Sequence, residues 1–230
     1  LAMSWGNQVV PHGTPISGAY NVAANALSTD FKANFETVTA PTGATVMSPY
    51  VLPRSVSGPP YYLSTESFGA AGATTILQMD SISISGAATL TIQGDVTIIL
   101  PPSATTTIGI SGSGRIALAS GASLKIYTPG SINISGAGIA NSGAPQSLQI
   151  WSTTNGASGQ TISLSGSGAY SGIIYAPDAA LSSSGGTNYY GAAIVGSATF
   201  SGSGAFHYDE SLKNYGSSGS IGIDSYSELN

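Results

Sequence analysis

From the first run of paired isoleucines onward, a hydrophobic-Ser-Gly triplet recurs at a roughly constant interval, as Ile84-Ser85-Gly86, Ile110-Ser111-Gly112, Ile134-Ser135-Gly136, Leu164-Ser165-Gly166 and Phe200-Ser201-Gly202. From glycine to glycine the intervals are 26, 24, 30 and 36 residues. The neighbouring sequence carries period-2 apolar pairs, the signature of short strands: Ile82/Ile84, Leu90/Ile92, Val96/Ile98, Ile108/Ile110, Ile116/Leu118, Leu124/Ile126 and Ile132/Ile134. Their first members stand 6 to 12 residues apart, most often 8. Three such faces make a turn of about 24 residues, so the triplet comes back once per turn of a three-faced coil. An antiparallel meander gives no reason for the same triplet to recur at every third strand. The pattern therefore predicts an all-β fold, a right-handed parallel β-helix of five or six coils, with larger loops in the later turns.

Composition agrees with that geometry. In such a coil alternate residues face inward, where Ile, Leu and Val stack on their equivalents above and below. Outward positions form ladders of like residues about 4.8 Å apart, where Ser and Thr exchange hydrogen bonds and like charges would repel. Only 15 of the 230 residues are formally charged, and the 52 residues between Lys125 and Asp178 carry no charge at all. The net charge of −5 comes without any Lys/Arg cluster, which argues against nucleic acid and anionic lipid as partners. No cysteine is present, which removes disulfides, thiolate metal sites and cysteine nucleophiles. No apolar run reaches the length of a membrane span. A surface of Ser, Thr, Gly and Asn points to an extracellular or cell-surface location. The chain opens Leu1-Ala2-Met3 without an initiator methionine, so loss of an upstream signal or hydrophobic segment is expected.

The N-terminal third reads differently. Val22, Leu27, Phe31, Phe35 and Val38 recur at near-helical steps, which predicts a helix over about 21–38. Pro41, Pro49, Pro53, Pro59 and Pro60 follow and mark an extended connector, since proline lacks the donor that a central strand needs. The expected organisation is an N-terminal arm over 1–73 packed on the solenoid, the β-helix over 74–215, and a tail over 216–230. The helix is expected to cover the first coil, whose edge would otherwise be open.

Three groups of residues could carry chemistry or recognition. His207-Tyr208-Asp209-Glu210 is the densest polar cluster, but adjacent strand residues point to opposite sides and a metal site needs a third partner. The segment reads instead as an end cap or interface, with Phe206 and Tyr208 on one face, His207 and Asp209 on the other, and Leu212 plugging the end. Polysaccharide-cleaving β-helices need paired carboxylates or a base beside calcium, whereas between Ser81 and Pro177 this chain offers only Asp95, Arg115 and Lys125. No catalytic residue, cofactor or metal is assigned. Trp151, Tyr170 and Tyr189 are the candidate glycan contacts, because aromatic faces stack on sugar rings. The bland reading of the aromatics places Tyr175 and Tyr190 inside wide coils, with a hydroxyl reaching the backbone.

Leu124-Lys125-Ile126-Tyr127, Ile132-Asn133-Ile134-Ser135-Gly136, Tyr175-Ala176-Pro177, Tyr190-Gly191-Ala192 and Phe206-His207-Tyr208-Asp209-Glu210-Ser211-Leu212 together resemble a bacterial surface domain of β-helix fold. That domain is found in type IV pilus assembly, in minor-pilin-like and related cell-envelope proteins. The resemblance spans about 81–212. It implies an envelope or filament role and carries over no catalytic residues; the N-terminal hydrophobic helix of pilin-like members is missing here. The leading expectation is a non-enzymatic subunit or module of a pilus, filament or cell-surface layer. Its expected partners are other copies of itself or other envelope proteins. A carbohydrate-binding adhesive module is the alternative, and a polysaccharide-active enzyme the outside one.

Overall fold

The computed structural model describes residues 3–5, 8–10, 35–59, 61–102, 107–135, 137–154, 159–166 and 169–215. The chain divides into two units, 1–36 and 37–230. In the first, β1 (Met3–Trp5) and β2 (Gln8–Val10) form an antiparallel pair. The helix expected over 21–38 lies outside the described residues except for 35–38, which have no regular structure.

The second unit is a parallel β-helix. It opens with β3 (Thr45–Val46) and β4 (Tyr50–Leu52), passes through a small hairpin of β5 (Arg54–Ser55) and β6 (Tyr62–Leu63), and continues into β7 (Thr65–Gln78), which bends across two faces. Coil two is β8 (Ser81–Ile84) and the bent β9 (Thr89–Ile99). Coil three is β10 (Thr107–Ile110), β11 (Arg115–Leu118) and β12 (Ser123–Thr128). Coil four is β13 (Ser131–Ile134), β14 (Gly138–Ala140) and β15 (Leu148–Ser152). The last turns are β16 (Thr161–Gly166), β17 (Tyr170–Gly185), β18 (Tyr189–Phe200) and β19 (Phe206–Tyr208).

Register shows why the triplet recurs. Leu52, Ile84, Ile110, Ile134 and Leu164 are successive partners in one parallel column, and each is at most 5% exposed. A second face stacks Phe68, Ile92 and Leu118, and a third stacks Leu77, Ile98, Ile126, Ile150 and Ile174. The serine of each triplet carries the ladder into the corner: the Ser111 amide donates to the Ile84 carbonyl and the Ser135 amide to that of Ile110, both at 2.9 Å. At the bend inside β9, Gly94 has a φ of +68°. A Cβ there would run into the carbonyl oxygens of Ala70 and Ala73 in the coil before, so this corner demands glycine.

The solenoid starts earlier than the boundary at 74. Residues 50–69 supply the first two faces of the first coil, with Tyr50 and Leu52 paired to Ile82 and Ile84 and residues 65–69 paired to 89–93, and β3 pairs onto its third face at Leu77 and Gln78. Pro49 and Pro53 flank β4, and an outermost strand tolerates them because its outer edge needs no donor.

Candidate functional site

The two ends of the solenoid differ in chemistry. At the N-terminal end, Tyr50 stands over Ile82 and Glu66 over Leu90, so both occupy inward positions of the first coil. The β5–β6 hairpin brings Arg54 onto them. The guanidinium grips Glu66 through both oxygens, Nη1 to Oε2 at 2.8 Å and Nη2 to Oε1 at 2.9 Å. The Tyr50 hydroxyl donates to Glu66 Oε2 at 2.9 Å, the guanidinium lies 5.4 Å from the centre of the Tyr50 ring, and Phe68 meets that ring edge-on at 4.7 Å. Burial, and then the hydrogen bond to Glu66, push the Tyr50 hydroxyl well above the usual tyrosine range. This polar lid was missed by sequence reasoning. Its signal was a carboxylate at the register position that isoleucine or leucine fills in the coils beyond.

The C-terminal end carries no such lid among the described residues. Phe206 stacks on the buried Tyr189 ring at 4.9 Å, and Phe200 meets Phe206 edge-on at 5.8 Å. Ala198, Phe200, Phe206 and Tyr208 continue inward columns, yet all are exposed, Phe206 by 41% and Tyr208 by 55%. The expected cap segment is thus the last strand of the solenoid, paired through β18.

His207 and Asp209 serve different structures. The His207 ring stacks on Tyr190 at 4.7 Å, the two planes nearly parallel. Asp209 accepts from the Ser211 amide at 2.9 Å at the start of a short 3-10 helix, Glu210–Asn214. Hydrogen bonds from the Ser211 hydroxyl and amide hold its carboxyl below the ordinary carboxylate range. Leu212 in that turn is buried, and beyond it the Tyr215 hydroxyl meets Gln149 Nε2 at 2.5 Å on the outer wall of coil four.

The glycan-contact assignment is corrected for two of its three residues. Tyr170 and Tyr189 are 3% and 0% exposed and stack on each other inside the coil at 5.0 Å. The Tyr189 hydroxyl donates to the carbonyls of Gly172 and Ala192, so neither ring presents a face to a sugar. Tyr175, expected inside, belongs to the outward column, while Tyr190 is 40% exposed. Trp151 does face outward, between Tyr127 at 6.4 Å and Tyr175 at 5.4 Å. A small cavity of about 20 Å³ borders Tyr170, Leu164 and Ile139, far below the ~300 Å³ of an ordinary ligand pocket.

The candidate catalytic charges are dispersed. Asp95 accepts from the Ser123 hydroxyl at 2.7 Å, Arg115 begins β11 on the second face, and Lys125 stands within β12 on the third. Among the described residues no three His, Cys, Asp or Glu side chains come together. Nor is any helix among them long and apolar enough to cross a membrane.

These features define a parallel β-helix domain closed by a polar lid at one end and, among the described residues, uncovered at the other. The chain belongs to the DUF7305 family, a domain of unknown function, which matches residues 72–215. No curated protein and no solved structure matches it. The match ends at the residue that docks on Gln149 and leaves the lid residues Tyr50, Arg54 and Glu66 upstream.

Proposed function

We propose that this chain is a non-catalytic structural module of a cell-surface or filament assembly. The observation that carries the reading is where its polar side chains are used. Gln160 donates to the Thr128 and Gly130 carbonyls at 3.2 and 2.9 Å and accepts from the Ser152 hydroxyl at 2.6 Å, all at one corner. The Ser123 hydroxyl reaches back one coil to Asp95, and the Thr161 hydroxyl to Ser131. The bonds to Thr128, Gly130, Asp95 and Ser131 tie successive turns together, and the Arg54–Glu66 ion pair and Tyr50 of the first coil are locked on one another. Ladders of this kind give a stiff rod that needs no charged surface, and the resemblance to envelope β-helix domains points the same way.

An adhesive role is the second reading, favoured by the outward Tyr127–Trp151–Tyr175 column. Fractionation of the producing cells, with mechanical shearing of surface appendages, tests the first reading. The protein is expected in the surface or sheared fraction, and recovery from the cytoplasm would contradict it. Retention on immobilised glycans that is lost in Trp151→Ala would move the assignment to the adhesive module.

A further inference from the structure

The outer wall of the third face departs from the Ser/Thr surface around it. Its outward column runs Ile99, Tyr127, Trp151, Tyr175 and Ile194 through successive coils. An outward column of the first face reads instead Ser83, Gly109, Asn133, Ser163 and Ser182. A row of large apolar side chains on the outside of a rod marks a contact surface. Part of this one is already covered. Ile99, Tyr175 and Leu212 are at most 8% exposed, yet none of them belongs to the interior core. Leu212 lies in the 3-10 turn after β19, and three residues further on the Tyr215 hydroxyl accepts from Gln149 Nε2. That same Nε2 donates to the Gln146 carbonyl at 2.8 Å, and Gln149 Oε1 accepts from the Trp151 indole Nε1 at 3.1 Å. One amide therefore joins the C-terminal turn to the aromatic column. Tyr127 in that column has its hydroxyl pushed above the ordinary tyrosine range by burial and then by Tyr215.

We propose that residues 209–215 form a latch that masks this wall, so that the aromatic column meets its ligand when the latch lifts. The inference rests on the adhesive reading above and adds its regulation. The ligand class is a neutral polysaccharide. Aromatic rings with an amide beside them suit a sugar ring and its hydroxyls, and the adjoining outward column, Thr97, Lys125, Gln149, Ile173 and Ala192, holds one cation and no carboxylate. The latch is held lightly. The Asp209 amide still reaches the Gly191 carbonyl of the sheet. Beyond it, among the described residues, the segment rests on the buried Leu212 and the one bond between Gln149 and Tyr215. Glu210, Ser211, Lys213 and Tyr215 are exposed. The coils beneath hold one another through continuous strand ladders. A segment with so few buried contacts opens well before the body it lies on.

Trp5 and Trp151 are the two tryptophans of the chain, so Trp5→Phe leaves Trp151 as the sole indole reporter. In that full-length background, Leu212→Ser/Tyr215→Phe is expected to shift Trp151 emission to the red and to raise its quenching by acrylamide, with the thermal unfolding midpoint held. Tyr215→Phe alone, which removes only the hydroxyl, should give a smaller change in the same direction. Apparent affinity scales with the fraction of chains in the competent state, so the double variant should be retained on immobilised chitin or cellulose about tenfold more tightly than its parent. Unchanged quenching in both variants would overturn the latch. So would exposure of Trp151 that comes only with a fall in the midpoint, because the segment is then a staple of the last coils. The two readings fail separately. Equal retention of parent and variants, with quenching unchanged, keeps the adhesive reading and sinks the latch. Exposure of Trp151 without retention of any form sinks the adhesive reading and the masking role with it.

Discussion

Glu66 shows how one side chain can end a repeating fold. It stands in a column that Leu90, Ile116 and Ile139 continue, and only the Arg54 guanidinium and the Tyr50 hydroxyl make a carboxylate tolerable there. Glu66→Ala leaves the buried Tyr50 hydroxyl without its acceptor, and a cost of about 1–3 kcal/mol is expected in urea unfolding. An unchanged midpoint would show that the lid is incidental. Tyrosine titration follows from the same burial. Tyr50, Tyr170 and Tyr189 all have their ionisation pushed up, chiefly by burial. A raised folded-state pKa stabilises the fold below the ordinary tyrosine value of about 10 and ceases to do so as pH rises through the folded value. Base-induced unfolding should therefore begin above pH ~10, with the phenolate absorbance of these rings appearing together with loss of the β signal. Phenolate formation by all the tyrosines with the fold intact would contradict this. In the core, Ile110→Asp sets an unpaired charge between Ile84 and Ile134 and is expected to abolish folding, as read by loss of the far-ultraviolet β spectrum.

At the scale of the element, the short strands were legible and the long ones were not. β8, β10 and β13 each announce themselves by two isoleucines around a small residue, and their spacing alone placed Ile84, Ile110 and Ile134 in one stack. β17 hid its parity. It runs for 16 residues around a corner, with an irregularity between Ala176 and Ala180, and its Gly, Ala and Ser residues fit either side of a sheet. That is why Tyr170 turned out to face inward and Tyr175 outward, and β18, in register with β17, sets Tyr189 inward over Tyr170 and Tyr190 outward over Ser171. β4 was hidden by its flanking prolines, which are harmful in a central strand and harmless at the edge. β19 was legible as a terminus, but the roles of its residues were not. His207 is exposed and holds to Tyr190 by ring stacking, so His207→Ala is expected to cost about 0.5–1.5 kcal/mol. A loss above 3 kcal/mol would mean that the imidazole makes a contact beyond that stack.

At the scale of the whole molecule, one repeating interval in the sequence becomes one stacked column in space, and the ends of that column differ. Of the polar lid only Glu66 left a trace in the sequence, as a carboxylate in a column of Leu and Ile, because the lid depends on Tyr50, Arg54 and Glu66 meeting from separate strands. The other end is where, among the described residues, the repeat stops being covered. All of this depends on parallel stacking at one coil per triplet. Cysteine pairs on the outer side of the first face test it most directly, since Ser83, Gly109 and Asn133 are successive register partners. Neighbours in that row lie about 4.8 Å apart, within the Cα range of a disulfide, and alternate members lie about 9.6 Å apart, beyond it. Ser83→Cys/Gly109→Cys and Gly109→Cys/Asn133→Cys are expected to close intrachain disulfides rapidly in the folded protein, while Ser83→Cys/Asn133→Cys stays reduced. Closure of the 83–133 pair alone, or of none of the three, would contradict the parallel β-helix.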